Sequence, residues 1–311
     1  MITADDVRIA QHRIADRVRR TPMIQADRGP SGGDVWFKAE FLQRCGVFKT
    51  RGAFNRQLHA RELGLLDPTV GVVAASGGNA GLANAYAASV LGVPATVFVP
   101  ETAPRVKVDR LSAFGATVRQ VGREYAEAYD AAQAHVASTG ALFCHAYDQP
   151  EIAAGAGTLA LEIIDDLAGV DTIVVAVGGG GLFAGVAALA HEHGVRVVAV
   201  EPERIPTLRS ALDAGAPVDV DVSGVAADSL GARRIGDIAL AVAAVTDPIS
   251  VLVSDDDIVR SRSSLWADYR IPAEHGAAAA VAALDGGAYR PASGERIAVV
   301  VCGANTDVST L

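Results

Sequence analysis

From about residue 70 onward, short apolar runs alternate with longer amphipathic or alanine-rich stretches. The runs at 70–74 and 95–99 are separated by an alanine-rich stretch at 79–91, which the Gly92-Val93-Pro94 segment ends. Continuous apolar runs are typical of strands that are buried on both faces, whereas stretches of ten or more residues predict helices. The same pattern predicts further strands at 116–118, 142–144, 173–177, 195–200 and 297–301.

The stretches between these runs predict the remaining helices. Before residue 70, Thr3 is a candidate N-cap for a first helix, which Thr21-Pro22 would close, and a strand is predicted at 35–39. Further helices are predicted at 104–114, 123–138, 151–168 and 182–193, and two more precede the last strand. The alternation predicts an α/β fold with helices on both faces of a parallel sheet.

Composition adds limits to this prediction. The 311 residues suit about two domains, and 50% apolar with 20% charged residues permits a large core. The net charge of −9 argues against a nucleic-acid binder. We find neither a signal-peptide pattern nor an apolar run that could span a membrane, and the three cysteines form no metal-ligand or disulfide pattern. We therefore expect a cytoplasmic protein with no membrane or nucleic-acid partner.

Two glycine-rich loops follow predicted strands. Ser76-Gly77-Gly78-Asn79 opens the helix at 79–91, where free amides and a hydroxyl suit a carboxylate, although a plain tight turn explains it equally well. The four glycines at 178–181 open another helix and predict phosphate binding. A rival interpretation reads this second loop with Ala184 and Glu201 as a loose dinucleotide fingerprint, which indicates a nicotinamide-dependent oxidoreductase.

Lys49 is a candidate nucleophile. The chain contains only three lysines, and a desolvated lysine can become a neutral amine whereas arginine cannot. Lys38 is interpreted as a residue at the rim of a strand, and Lys107 as part of a charged helix. A third candidate, Cys302, follows the last strand, where a cysteine faces a ligand about as often as it serves as a small buried side chain.

Taken in order, these features resemble the fold-type II enzymes that depend on pyridoxal 5′-phosphate (PLP). The most similar branch contains threonine/serine dehydratases and serine racemases. The segments that carry the resemblance span nearly the whole chain and lie at 38–43, 46–53, 76–81, 100–104, 152–162 and 178–181. The resemblance implies two open twisted α/β domains, like those of tryptophan synthase β, with PLP in the cleft between them. The large domain would comprise 1–70 and 147–311, and the small, carboxylate-binding domain 71–146.

The resemblance also implies roles for single residues. Lys49 would form the Schiff base with PLP, Phe48 would pack against the ring, and Cys302 would face the ring nitrogen. Glu274 would lie near the cofactor. The implied phosphate-binding residues are Gly178, Gly179, Gly180, Gly181 and Leu182. The implied substrate-carboxylate residues are Ser76, Gly77, Gly78 and Asn79, of which Ser76 is also a candidate catalytic residue and Asn79 also lies near PLP.

Several positions depart from the family pattern. Racemases of this branch carry a second serine where this chain has Gly77, which has no proton to give. Val47, Ala80 and Ser229 also replace residues that are usual in the family. Glu201 matches a cation-binding glutamate of relatives, but Thr207 stands where a second acid is expected, so a metal role for Glu201 competes with that of a surface acid at a strand end.

The resulting hypothesis is a PLP-dependent ammonia-lyase that converts a 3-hydroxy amino acid such as threonine or serine to a 2-oxo acid. A thiol cannot hold the ring nitrogen protonated as a carboxylate would, and this favours β-elimination over transamination. PLP-dependent β-replacement, a serine racemase-like activity, loss of activity with PLP still bound, and the nicotinamide-dependent oxidoreductase stay open as alternatives. A bound monovalent or divalent cation and a homodimer are further expectations.

Overall fold

The computed structural model describes residues 1–26 and 34–311. Their strands form two sheets. In spatial order, the six-stranded sheet contains β1 (Met23–Gln25), β2 (Asp34–Lys38), β10 (Arg296–Val300), β7 (Thr172–Ala176), β8 (Arg196–Pro202) and β9 (Ile249–Val253). β1 is antiparallel to β2, and the other neighbours are parallel. The parallel four-stranded sheet contains β5 (Thr117–Gln120), β4 (Ala95–Val99), β3 (Val72–Ala75) and β6 (Leu142–Phe143).

Helices cover both sheets, as the alternation predicts. Those of the described residues are α1 (Ala4–Ile14), α2 (Lys49–Glu62), α3 (Asn79–Leu91), α4 (Arg105–Ala113), α5 (Tyr125–Thr139), α6 (Pro150–Asp166), α7 (Gly181–Glu192), α8 (Thr207–Ala214), α9 (Ala227–Leu230), α10 (Asp237–Thr246), α11 (Asp255–Tyr269) and α12 (His275–Asp285). In this part of the chain, no helix is both long enough and apolar enough to cross a membrane.

The predicted elements from 70 onward are confirmed to within about two residues. The helix predicted at 79–91 begins at Asn79 and ends at Leu91, where Gly92 adopts the left-handed conformation with φ of 71°. The first helix has its capping box at Thr3 but ends at Ile14 instead of reaching Thr21. Ile14 is its last fully buried residue, and most side chains from 15 to 20 are exposed, so no packing extends the helix.

Each sheet has its own apolar core. The largest core joins α6, α7 and α12 to the six-stranded sheet, and smaller clusters lie on the two faces of the four-stranded sheet. The four strands of the second sheet lie between Val72 and Phe143, inside the span predicted for the small domain. The exact domain boundaries stay a prediction.

The prediction that Lys38 lies at a strand rim is wrong. Its side chain is 0% exposed, and its Nζ donates hydrogen bonds of 2.6 Å to Glu162 Oε2 and to the Thr21 carbonyl oxygen. Alternation at the end of a short strand cannot distinguish a rim from a buried ion pair, because the partner carboxylate is supplied by α6, far along the chain.

Candidate active site

Lys49 is the first residue of α2, and the turn before it fixes where it points. Cys45 and Gly46 adopt positive φ angles of 61° and 70°, which reverse the chain. The Phe48 N–H then donates to the Cys302 carbonyl oxygen at 3.0 Å, so the start of α2 is attached to the end of β10. Lys49 is therefore positioned by the large sheet.

The Lys49 side chain is partly buried and faces a cavity. Its Nζ donates a 3.0 Å hydrogen bond to the Ala146 carbonyl oxygen and lies 5.1 Å from the centre of the Phe48 ring. No carboxylate of the described residues forms a salt bridge with it. Burial lowers the pKa of Lys49, while Cys302 and Glu274 oppose the shift. The amine therefore loses its proton more readily than an exposed lysine does.

The glycine loop after β7 lies across the same cavity. The cavity is lined by side chains and backbone from Phe48, Lys49, Asn79, Tyr147, Ala176, Gly178, Gly179, Gly180, Gly181, Leu182, Ser229, Leu230, Glu274 and Cys302. Among the described residues, the N–H groups of Gly178 to Gly181 find no hydrogen-bond acceptor. Free amides at the N-terminus of α7 make a binding site for an anion.

Packing also requires glycine at three of these positions. A Cβ on Gly179 would lie 2.3 Å from the Tyr147 ring, and one on Gly181 would lie 2.7 Å from the Tyr147 carbonyl oxygen. Gly180 has φ of +90°, and its Cβ would lie 2.4 Å from the Ala239 Cβ. Tyr147 was not predicted as a site residue, and no local sequence signal identifies it.

Asn79 connects the predicted carboxylate-binding loop to Glu274, which is predicted to lie near the cofactor. Its Nδ2 donates to both carboxylate oxygens of Glu274, at 2.8 and 3.0 Å. Its Oδ1 accepts a 2.7 Å hydrogen bond from Asn305 Nδ2, which also donates to the Cys45 carbonyl oxygen at 3.0 Å. Asn305 carried no predicted role, and its place just after the last strand is the only signal that could have indicated one.

Glu274 and Cys302 are both buried against the cavity. Burial raises the pKa of Glu274 to about 7, although the Asn79 hydrogen bonds and Lys49 oppose this shift. Cys302 is 3% exposed, and burial raises the pKa of its thiol well above the usual value. The thiol therefore stays neutral at physiological pH.

The loop from Ser76 to Asn79 connects β3 to α3. Ser76 Oγ accepts a 3.3 Å hydrogen bond from the Gly78 N–H, so the hydroxyl shapes the loop. Gly77, Gly78 and Asn79 line a second cavity together with Glu274 and Asn305. Ser76 does not line either of these cavities, and its catalytic role stays a prediction.

Glu201 does not lie on the surface. It is 0% exposed, and its carboxylate accepts hydrogen bonds from the Leu208 N–H at 2.6 Å and the Arg209 N–H at 2.9 Å. Its Oε1 also lies 3.0 Å from Thr207 Oγ1. Burial raises its pKa to about 7. The described residues contain no group of three or more His, Cys, Asp or Glu that could hold a metal ion. Side chains of these four types among the described residues therefore do not form a divalent-cation site around Glu201, and its metal role stays a prediction.

The residues around the first cavity fit PLP. The free amides of the glycine loop suit its phosphate, and the Lys49 amine can bond to its aldehyde. The neutral thiol of Cys302 and the aromatic ring of Phe48 border the same space. Cofactor-binding residues predicted from three separate loops are therefore brought together by the fold.

Comparison with known proteins identifies the family of the chain. A family model described as pyridoxal-phosphate dependent enzyme matches residues 14–303. The chain is 34% identical to an L-threonine ammonia-lyase of Thermotoga maritima over 100% of this chain and 77% of that protein. It is 36% identical to an L-threonine ammonia-lyase of Geobacter sulfurreducens over 97% of this chain and 75% of that protein.

The fold also matches that of a solved structure. The structure of maize serine racemase superposes with a TM-score of 0.90 and 29% sequence identity, and the match covers 99% of this chain and 95% of that one. The fold is therefore shared with this group of enzymes.

Proposed function

The chain belongs to the family of pyridoxal-phosphate dependent enzymes, and from this premise we propose that it is an ammonia-lyase. It would convert a 3-hydroxy amino acid such as threonine or serine to a 2-oxo acid and ammonia by β-elimination. One observation carries the proposal: the Lys49 amine, which has no carboxylate partner among the described residues, shares a cavity with an unpaired run of glycine amides and a neutral thiol.

When bound, PLP supplies an aldehyde for the amino group and a ring that withdraws electrons from Cα. Lys49 would form the covalent bond to it, and the amides of Gly178 to Gly181 would hold its phosphate. Phe48, Leu182 and Cys302 would border its ring. Because Cys302 stays a neutral thiol, it does not stabilise a cationic ring nitrogen, which favours rapid loss of the β-substituent.

Lys49 is the proposed general base. Burial lowers its pKa, so a larger fraction of the amine is neutral near pH 7 than in an exposed lysine. A neutral Nζ can accept the proton from the substrate Cα. The Ala146 carbonyl oxygen accepts a hydrogen bond from Nζ and orients it. A carboxylate partner would instead hold the amine in its protonated form.

The loop from Ser76 to Asn79 is the proposed carboxylate site. Its glycines leave backbone N–H groups at the start of α3, where a negative charge is stabilised. Asn79 is held by Glu274 and Asn305, so the loop reaches the substrate in a fixed orientation. Arg110 donates to Asn305 Oδ1 at 2.6 Å and adds positive charge to the same cavity.

Substrate size is the least constrained part of the proposal. A neighbouring cavity beside Lys49 is lined by Gly52, Ala80 and Ala156, with Tyr147 at its edge. These small side chains support a β-substituent bulkier than methyl, such as an aryl or carboxylate group. Turnover of L-serine equal to or better than that of the larger substrates would contradict this part.

A substrate panel tests the whole proposal. We expect 2-oxo acid and ammonia from at least one of L-threonine, L-serine, 3-phenylserine and 3-hydroxyaspartate, measured by reduction of the oxo acid with a coupled dehydrogenase. If none of the four substrates yields an oxo acid while the protein binds PLP, the ammonia-lyase assignment is wrong.

The same panel separates the alternatives. Product formation from O-acetylserine and sulfide would support β-replacement, and D-serine formation from L-serine would support racemisation. We expect little racemisation, because Gly77 places no proton donor on the face opposite Lys49. A PLP-type visible spectrum argues against the nicotinamide alternative. The cytoplasmic location and the homodimer stay predictions.

A further inference from the structure

The glycine loop is held through its carbonyl groups. The Gly179 carbonyl oxygen accepts a 3.0 Å hydrogen bond from the Gly236 N–H, and that of Gly180 accepts one of 2.8 Å from the Ala184 N–H. The Gly178 carbonyl oxygen is held by a side chain instead: Thr207 Oγ1 donates to it at 2.6 Å. Among the described residues, Thr207 therefore supplies the side-chain hydrogen bond to these carbonyl groups that a substitution can remove.

This contact determines where an amide points. The carbonyl of Gly178 and the N–H of Gly179 belong to one planar peptide unit and point in opposite directions. When Thr207 holds the carbonyl toward α8, the Gly179 N–H is turned away from α8. Glycine has the largest conformational freedom of any residue, so this loop has no side-chain packing of its own to fix that orientation.

Glu201 in turn fixes Thr207. Glu201 lies in β8, and its carboxylate accepts the N–H groups of Leu208 and Arg209 in the first turn of α8. These bonds satisfy amides that have no partner within the helix. Thr207 is the first residue of α8 and is 0% exposed, so the buried carboxylate sets the position of its hydroxyl.

The surroundings of Glu201 offer little to a cation. Each of its oxygens accepts a helix N–H, the Thr207 hydroxyl is already bonded to Gly178, and the described residues place no group of three or more His, Cys, Asp or Glu there. A cation at Glu201 would compete with the amides that cap α8 for the same carboxylate. The observed arrangement connects the strand, the helix and the glycine loop with protein groups alone.

We propose that Thr207, held by Glu201, is a positioning residue that orients the glycine-loop amides for phosphate, and that no bound cation takes part. The proposal rests on the proposed function only in that the loop binds the phosphate of PLP. Thr207 does not touch the substrate and acts through Gly178.

The test compares Thr207→Val, which keeps the shape but removes the hydroxyl, with Thr207→Ser, which keeps the hydroxyl. The dissociation constants of PLP and of pyridoxal, which lacks the phosphate, are measured with cofactor-free protein by fluorescence titration. We expect Thr207→Val to weaken PLP binding about tenfold and leave pyridoxal binding unchanged, because a buried carbonyl loses its donor. Thr207→Ser should bind PLP as the wild type does.

Glu201→Gln should weaken PLP in the same direction, because an amide group offers only one acceptor oxygen to the two N–H groups of α8. Glu201→Gln also serves as the second variant if Thr207→Val does not fold. The thermal unfolding midpoint of each cofactor-free protein shows whether that protein is folded. EDTA, Mg²⁺, Ca²⁺ and K⁺ should each leave the PLP affinity of the wild type unchanged.

Three results would overturn the proposal. They are wild-type PLP affinity in the folded valine variant, an equal loss of PLP and pyridoxal binding, and a cation-dependent affinity in the wild type. A wild type that binds no PLP would overturn the proposed function together with this inference. Normal PLP binding with no oxo acid from the substrate panel would overturn the ammonia-lyase assignment alone.

Discussion

Lys38 and Lys49 are two lysines removed from bulk water, and their surroundings differ in one respect. Lys38 Nζ lies 2.6 Å from a Glu162 carboxylate oxygen, whereas Lys49 Nζ has only the Ala146 carbonyl oxygen at 3.0 Å. Burial lowers the pKa of both amines, but Glu162 opposes that shift at Lys38 directly. A buried amine that is paired with a carboxylate stays charged and has a structural role. A buried amine without a paired carboxylate loses its proton more readily and can act as a base.

The region around Lys38 is a buried network of charges. Arg51 is 0% exposed and pairs with Glu40 and with Glu162, in each case at 2.7 Å. The network connects β2, α2 and α6, and Arg51 lies only two residues beyond Lys49 on α2. The ionic region therefore fixes the helix that carries the reactive amine, while the amine itself is kept apart from it.

The largest expected effect comes from Lys49→Ala. It removes the proposed base and the point of covalent attachment, so turnover should fall by about 10³-fold or more. Because it also removes a desolvated amine, the thermal midpoint of the cofactor-free protein should not fall. The measurement is oxo-acid formation, together with mass spectrometry of peptides after borohydride treatment with PLP.

Borohydride trapping of PLP on Lys38 instead of Lys49 in the wild type would show that Lys38 is the reactive amine. Full activity of the alanine variant would also contradict the comparison, since no other lysine borders the cavity within the described residues.

A smaller effect, on stability alone, is expected for Lys38→Met. Removing one member of a buried ion pair leaves Glu162 with less compensation and should cost about 3–5 kcal/mol of unfolding free energy. The folded fraction should still attach PLP at Lys49. Urea unfolding measures the first quantity, and borohydride trapping measures the second.

The matched control is Lys107→Met, which removes the third lysine of the chain. Lys107 pairs with Asp228 at the surface of the site, and such a pair contributes about 0–1 kcal/mol. Equal destabilisation by the two substitutions would show that burial of the Lys38 network does not matter.

The smallest expected effect concerns pH and Glu274, the buried acid that faces Lys49. Its pKa is raised to about 7 from a usual value of 4.5, so the folded protein holds this proton to higher pH than the unfolded chain does. Its contribution to stability is therefore complete below about pH 4.5 and is lost as the pH rises to about 7. Glu274→Gln should gain stability relative to the wild type over this window, by about 1–3 kcal/mol.

Urea unfolding of the cofactor-free proteins at pH 4.5, 6 and 8 measures this gain. The lost hydrogen bond to Asn79 adds an offset that does not change with pH. A difference between variant and wild type that is the same at all three pH values would mean that folding does not raise the pKa of Glu274. Glu274 would then be charged opposite Lys49 near pH 7, and Lys49 would resemble Lys38.

Local pattern predicted much of the fold and part of the site. The glycine run at 178–181 could be identified from sequence because it lies between a strand and a helix, and Lys49 because lysine is rare in this chain. Asn305 and Tyr147 could not be identified, since their roles depend on contacts with Asn79 and Gly179, which are distant in sequence. The partners of Glu201 were missed as well, because no helix was predicted at 207–214, where α8 supplies them.

The sequence by itself determined the α/β alternation and the loops at the strand ends, and it indicated Lys49 as the proposed reactive amine, because each depends on neighbouring residues. Only the tertiary structure decided which charges are compensated. Whether a lysine is a buried ion-pair partner, as Lys38 is, or an available base, as Lys49 is proposed to be, depends on a carboxylate placed within a few ångströms by another element. Electrostatic compensation depends on distance in space, and residue patterns along the chain do not encode that distance directly.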